Sequence, residues 1–125
     1  MLIVIHMKNL EHQHQAALFE WAKINEKKYP ALVLMFAIPN GGHRHIAVAK
    51  KLKAEGVKAG VPDIFLPCPT KKCHGLFIEI KAPKGVVSLS QKQWILGLVS
   101  QGYLAQVCYG WEDARDVIVD YLNGY

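Results

Sequence analysis

The chain has 125 residues, enough for one domain around one hydrophobic core but not for two. With 51% apolar and 20% charged residues it has the balance of an ordinary globular protein, and no apolar run is long enough to span a membrane. Formal net charge is +5, and the excess is concentrated: Lys50, Lys51, Lys53, Lys58, Lys71, Lys72, Lys81 and Lys84 crowd the middle third, a distribution suited to a polyanionic partner.

Residues 1–5 are apolar, but His6 and Lys8 interrupt the run. No basic segment precedes it and no small-residue cleavage site follows, so a signal peptide is not expected and a cytoplasmic location is. A helix is predicted from Asn9, a good N-cap, to about residue 28, where Pro30 stops it. Leu10, Ala17, Leu18, Trp21 and Ile24 form its apolar stripe, with His12, Glu20, Lys23 and Lys27 facing out. Residues 31–38 are almost wholly apolar and bounded by Pro30 and the Pro39-Asn40-Gly41-Gly42 turn, which predicts a buried strand. Residues 45–55 read as a helix ending at Gly56.

Two strands are expected next, at 62–66 and 75–82, separated by a polar loop with Pro67 and Pro69. A helix follows from about Ser88–Ser90 to Gly102, with Trp94, Ile95, Leu98 and Val99 as its apolar positions. Residues 103–109 form a third buried strand, and a helix over 111–122 carries Ala114, Val117, Ile118 and Tyr121 at helical spacing. The order α-β-α-β-β-α-β-α predicts an α/β fold, a mixed sheet with helices on its faces. The three cysteines, an odd number, argue against a disulfide framework. Cys68, Cys73 and His74 lie close together, yet the second ligand pair of a structural zinc site is missing, so reduced thiols are the better reading. Cys108, in an apolar run, reads as core.

The chemistry-bearing segment is Gly60-Val61-Pro62-Asp63-Ile64, a loop, and then Phe77-Ile78-Glu79-Ile80-Lys81. Strand alternation puts Glu79 and Lys81 on one face, with Ile78 and Ile80 on the other. If the two strands pair as a hairpin, Asp63 comes near Glu79. Two carboxylates on one sheet edge make a hard oxygen site suited to Mg²⁺ or Mn²⁺, with an ammonium beside it. That set matches the needs of phosphodiester hydrolysis: a Lewis acid on the phosphate, an activated water and a cation for developing charge. The bland alternative is a solvated polar face with a weak Glu–Lys pair.

Pro62-Asp63 followed by Glu79-Ile80-Lys81 resembles the signature of the PD-(D/E)XK nuclease superfamily. The surroundings resemble its VRR-NUC (virus-type replication-repair nuclease) family. They are the Pro39-to-Gly42 turn, the approach from Lys53 through Gly60 to Asp63, and Ser90-Gln91-Lys92-Gln93-Trp94 followed by Gly102-Tyr103. The resemblance runs from Glu11 to Leu122, with the first eight residues and the Cys68-to-His74 loop outside it. It implies a restriction-endonuclease-like core in which Asp63, Glu79 and the main-chain carbonyl of Ile80 bind metal, and Lys81 orients or activates water. Glu11 matches a further acidic position that reaches metal directly or through water, and Gln91 a position beside the active site. Standalone members are typical of phages and prophages. By resemblance they are homodimers that cut branched DNA such as four-way (Holliday) junctions.

Gln15, one turn after Glu11, is a candidate to share a water or phosphate. Asn40, His43 and Arg44, in and after the glycine turn, are candidate nucleic-acid contacts, as are Lys53 and Lys84; an exposed basic loop accounts for the histidines and arginine almost as well. His6, His12 and His14 are read as solvated, and Trp21, Trp94 and Trp111 as core rather than base-stacking platforms. Two other functions fit the same fold: a non-catalytic nucleic-acid-binding subunit, and an endonuclease acting on structured RNA.

Overall fold

The computed structural model describes residues 2–39 and 46–124, with residues 2–5, 7 and 8 as backbone alone. Helix α1 spans Leu2–Ile24. It starts earlier than the expected cap at Asn9, because residues 2–8 contain no proline or glycine to stop it. Leu18 and Ala22, four residues apart, are buried, and Trp21 packs beside them. Ile24, expected in the same stripe, is 75% exposed. It is the last helical residue, and Asn25 turns the chain away by donating its side-chain amide to the Trp21 carbonyl at 2.8 Å.

The strand expected over 31–38 is mostly a 3₁₀ helix, Pro30–Leu34, followed by a two-residue strand β1, Phe36–Ala37. Pro30 sits at the start, where its missing N–H costs nothing. The bonds Leu32 N–H to Tyr29 and Met35 N–H to Leu32 then close the turn. The apolar run thus has a period of three: Leu32 and Met35 are buried, while Val33, Leu34 and Phe36 face out. Helix α2, Ile46–Ala54, buries no residue. It ends with Gly56 at φ +100°, the left-handed position a helix stop favours.

Strands β2 (Ile64–Leu66), β3 (Leu76–Lys81) and β4 (Leu104–Tyr109) complete a four-stranded sheet in the order β1-β2-β3-β4. β2 and β3 form the expected antiparallel hairpin, with Ile64 opposite Ile78 and Leu66 opposite Leu76. β4 returns parallel to β3, after the crossover helix α3 (Leu89–Ser100). The sheet is therefore mixed, as the α/β order predicted.

One sheet face carries Ile64, Leu66, Leu76, Ile78, Ile80 and Cys108, all at 1% exposure or less, against Leu18 of α1 and Ala114, Ile118 and Tyr121 of helix α4 (Trp111–Leu122). Burying an aliphatic side chain of this size contributes roughly 1.5–3 kcal/mol, so this face is the source of stability. The Tyr121 hydroxyl donates to the Cys68 carbonyl at 2.7 Å, which ties α4 to the hairpin loop.

Two further expectations change. β4 is an edge strand, buried at Ala105 and Cys108 but with Tyr109 46% exposed, rather than buried along its length. α3 buries none of its residues and leaves Leu89, Leu96 and Val99 exposed. Trp21 and Trp111 pack on the core, but Trp94, on α3, is only half-buried and outside the core cluster.

This division predicts opposite responses on α1. Leu18→Ala should lower unfolding free energy by about 2–5 kcal/mol, and Ile24→Ala by less than about 0.5 kcal/mol. Urea denaturation midpoints measure both, and equal losses would contradict the packing described.

Candidate active site

The second sheet face is built from the same hairpin register. One step beyond the Ile64–Ile78 pair, antiparallel counting sets Asp63 opposite Glu79. β2 ends there, and Asp63 takes over its role in the ladder: Oδ2 accepts the Ile80 N–H at 2.9 Å, while its carbonyl accepts the Ile38 N–H at 2.7 Å. The carboxylate is thus held at both ends of the residue. Glu79 and Lys81 follow by alternation, and both are nearly inaccessible, at 2% and 7% exposure. The Lys81 Nζ lies 3.8 Å from Glu79 Oε2.

Gln91 reaches the same oxygen from α3, donating Nε2–H to Glu79 Oε2 at 3.1 Å. Its other amide atom, Oε1, accepts the Ser88 N–H at 2.8 Å, while Ser88 Oγ accepts the Gln91 N–H. This is a capping box, Ser-x-x-Gln, so the residue that starts α3 also fixes the carboxylate. Gly60, at φ +92°, lets the loop before Asp63 touch that helix start. A Cβ there would lie 2.8 Å from the main-chain carbon of Ser90.

These groups line a cleft of about 580 Å³ shared by Glu11, His12, Gln15, Ile38, Pro39, Ala59, Gly60, Asp63, Glu79, Ile80, Lys81, Ser88, Ser90 and Gln91. Glu11, from α1, lies against Gly85, where a Cβ would come within 3.3 Å of its Oε2 and 3.2 Å of the Lys81 Cβ. The structure therefore brings together Glu11, Gln15, Asp63, Glu79, Ile80, Lys81 and Gln91. Lys53 and Lys84 are exposed and do not line the cleft, and Asn40, His43 and Arg44 lie outside the described residues.

Sequence reasoning gave four residues no part in this arrangement. His12, read as solvated, is exposed and also lines the cleft, on the same helix face as Gln15 three residues on. Ser88 and Ser90 line it too, and the Ser-x-x-Gln spacing was the available signal. His14, also read as solvated, is half-buried: Nδ1 accepts the Trp111 N–H at 3.1 Å and so caps α4. Of the hairpin-loop residues, His74 packs its ring on Tyr103 and Gly102.

Burial dominates the electrostatics. It raises the pKa of Asp63, against the lowering effects of its contact with Glu79, the Ile80 N–H and Lys81. Glu79 is pushed up to about 9, first by desolvation and then by Asp63, with Lys81 opposing and Glu11 adding repulsion. Two carboxylates so close favour one bound proton between them. Glu79 Oε1 is buried with no hydrogen-bond partner, a cost the fold bears unless a cation or proton meets it.

Among the described residues no three His, Cys, Asp or Glu side chains gather closely enough to hold a metal ion by themselves. The donor set fits a hard divalent cation such as Mg²⁺, which is bound by one or two carboxylates and keeps several waters.

The VRR-NUC domain model matches residues 3–112, most of the chain. The chain belongs to the VRR-NUC family. A solved structure described as a VRR-NUC domain protein is 31% identical, with a TM-score of 0.79 over 91% of this chain and 88% of that one. No curated protein matches. The chain therefore carries a nuclease-type domain, and its mixed sheet with flanking helices is the fold of that VRR-NUC relative. Among the described residues no helix is long and apolar enough to cross a membrane.

The raised Glu79 pKa carries a sign. The folded protein holds its proton above the ordinary carboxylate range, so native-state stability falls as pH rises from about 4.5 to about 9. In EDTA, the melting temperature of Glu79→Gln should gain steadily on that of the unaltered chain across this window. Parallel melting curves from pH 5 to 9 would show that Glu79 is not the titrating group.

Proposed function

We propose that this VRR-NUC domain is a divalent-metal-dependent endonuclease that hydrolyses phosphodiester bonds in DNA. The observation that carries the reading is Glu79, buried beside Asp63 at the base of an open cleft with one oxygen unpartnered. A fold keeps two carboxylates in such a place at a cost in stability, and a bound cation would offset it. Asp63, Glu79 and the main-chain oxygen of Ile80 would hold Mg²⁺ or Mn²⁺, with Glu11 in reach through water. When bound, that ion supplies Lewis acidity toward the phosphate and a more acidic water.

The chain's own groups do the rest. The Lys81 ammonium, held beside Glu79, stabilises charge developing on the phosphate oxygens and orients the attacking water. Gln91 keeps Glu79 in its rotamer. Gln15 and His12 line the cleft wall on α1, where a phosphate oxygen or water can accept from or donate to them. Lys50, Lys51 and Lys53 project from α2, which buries nothing, and with Lys84, Asn40, His43 and Arg44 would bind flanking phosphates. Such contacts read shape rather than sequence, in keeping with a preference for branched DNA such as four-way junctions.

A two-fold substrate of that kind suits a homodimer. Support for one comes from the sheet face around Phe65. Phe65 stacks on Phe77 at 4.2 Å and meets Phe36 and Tyr103 edge-on, yet Phe36 is 48% exposed. An aromatic patch left open at the sheet edge is the kind of surface a second copy covers.

Three outcomes are expected. Mn²⁺ or Mg²⁺ should raise the melting temperature of the unaltered chain and not that of Asp63→Asn; equal shifts would remove the metal from this cleft. On a labelled four-way junction, Lys81→Met should cut about a hundred- to thousandfold more slowly with metal binding retained. No cutting of junction, duplex DNA or duplex RNA under either metal would leave a binding module, and cutting of RNA alone would redirect the substrate. By light scattering, Phe36→Lys should convert a dimer to a monomer, and a monomeric unaltered chain would overturn the dimer.

A further inference from the structure

Trp94 lines two cavities, and neither belongs to the hydrophobic core. The larger, about 580 Å³, has Trp94, Gly97 and Leu98 along one side and Lys58, Gln93 and Gln101 among its polar lining. It shares Ala59 and Ser90 with the carboxylate cleft. The close approach of Gly60 to Ser90 forms the junction between them. The two openings are contiguous at these residues, so one strand can run from the carboxylates to this cavity.

The lining is specific in its chemistry. A flat indole with aliphatic neighbours accepts a planar ring face-on, two side-chain amides suit the polar edge of a heterocycle, and an ammonium suits an attached phosphate. Gly97 adds an independent observation. It sits inside α3, where glycine is disfavoured relative to alanine. A Cβ there would meet nothing within 4 Å and no positive φ requires glycine, so neither packing nor backbone accounts for it. Gly97 lies three residues after Trp94, on the same helix face, and it lines this cavity. A side chain at 97 would occupy the space beside the indole.

We propose that this cavity holds one unpaired nucleobase of the bound DNA strand, stacked on Trp94, next to the phosphate at the carboxylates. The inference rests on the nuclease reading and adds a selection rule to it. A base leaves its stack at least cost where it is already unpaired, so the pocket favours DNA with an unpaired nucleotide beside the cut, as at a branch.

The test uses the full chain in EDTA with two probes of equal length, a short single-stranded thymidine oligonucleotide and its abasic counterpart. Binding of the thymidine strand should quench indole fluorescence, and Trp94→Phe should lose that quenching while still binding. Trp94→Ala should weaken thymidine binding about tenfold and leave abasic binding unchanged. Gly97→Leu, whose Cβ has open space and whose side chain would extend beside the indole, should reproduce that base-dependent loss with an unimpaired melting temperature. Equal losses on both strands, quenching that survives Trp94→Phe, or normal thymidine binding by folded Gly97→Leu would each overturn the pocket. Junction cleavage by the unaltered chain is scored separately. Cleavage with no base-dependent binding removes the pocket alone, base-dependent binding without cleavage removes the nuclease reading alone, and neither removes both.

Discussion

The hydrogen bond from the Ile80 N–H to the Asp63 carboxylate is the constraint on which the site depends. It extends the β2–β3 ladder by one step through a side chain and, in doing so, commits that carboxylate to lie beside Glu79. The adjacent main-chain bond from Ile38 to Asp63 prevents the residue from turning away. Everything else in the cleft answers the resulting problem of two acids in a desolvated corner. Lys81 and Gln91 both approach Glu79 Oε2, and neither reaches Oε1. The opposite face of β3, packed with Ile78 and Ile80, supplies the stability that makes an unfavourable arrangement affordable.

Helix α3 packs on the edge strand β4 and is tied to the carboxylates through Gln91. Its first turn is closed by Ser88 and Gln91, and Gln91 holds Glu79, so fraying at that end would release the acid. No residue of α3 is buried, and its contact with the Asp63 loop passes through the Gly60–Ser90 approach.

The site was more legible than the architecture around it. Alternation within residues 77–81 placed Glu79 and Lys81 on one face, and a hairpin count then set Asp63 opposite Glu79, because strand geometry leaves no other choice once the register is known. The apolar run at 31–38 was not resolvable in this way: an unbroken apolar run fits a period of three as well as a period of two, and Pro30 decides only where the turn starts. Trp94 was misjudged for a related reason. Helical spacing groups it with Ile95 and Leu98, but whether a stripe is covered depends on which layer the helix joins, and α3 joins the edge strand β4. His14 carried no local signal at all, since the Trp111 N–H it caps is contributed from across the fold.

The basic residues that first suggested a polyanion are not the ones in the cleft. Of the eight central lysines, Lys81 alone lines it, and its charge is engaged with Glu79. Lys50, Lys51 and Lys53 stand on the exposed helix α2, and Lys58 at the rim of the Trp94 cavity. The proposed function therefore assigns attraction of a charged strand and chemistry on it to different surfaces. Exposed lysines act through screened, salt-dependent fields that bring any phosphodiester chain close. On the proposed reading, a desolvated pair of acids that shares a proton offers that chain no chemistry until a cation takes the proton's place. The proposed function thus makes approach permissive and reaction conditional on a cation at the buried oxygen of Glu79, whatever the sum of the surface charge.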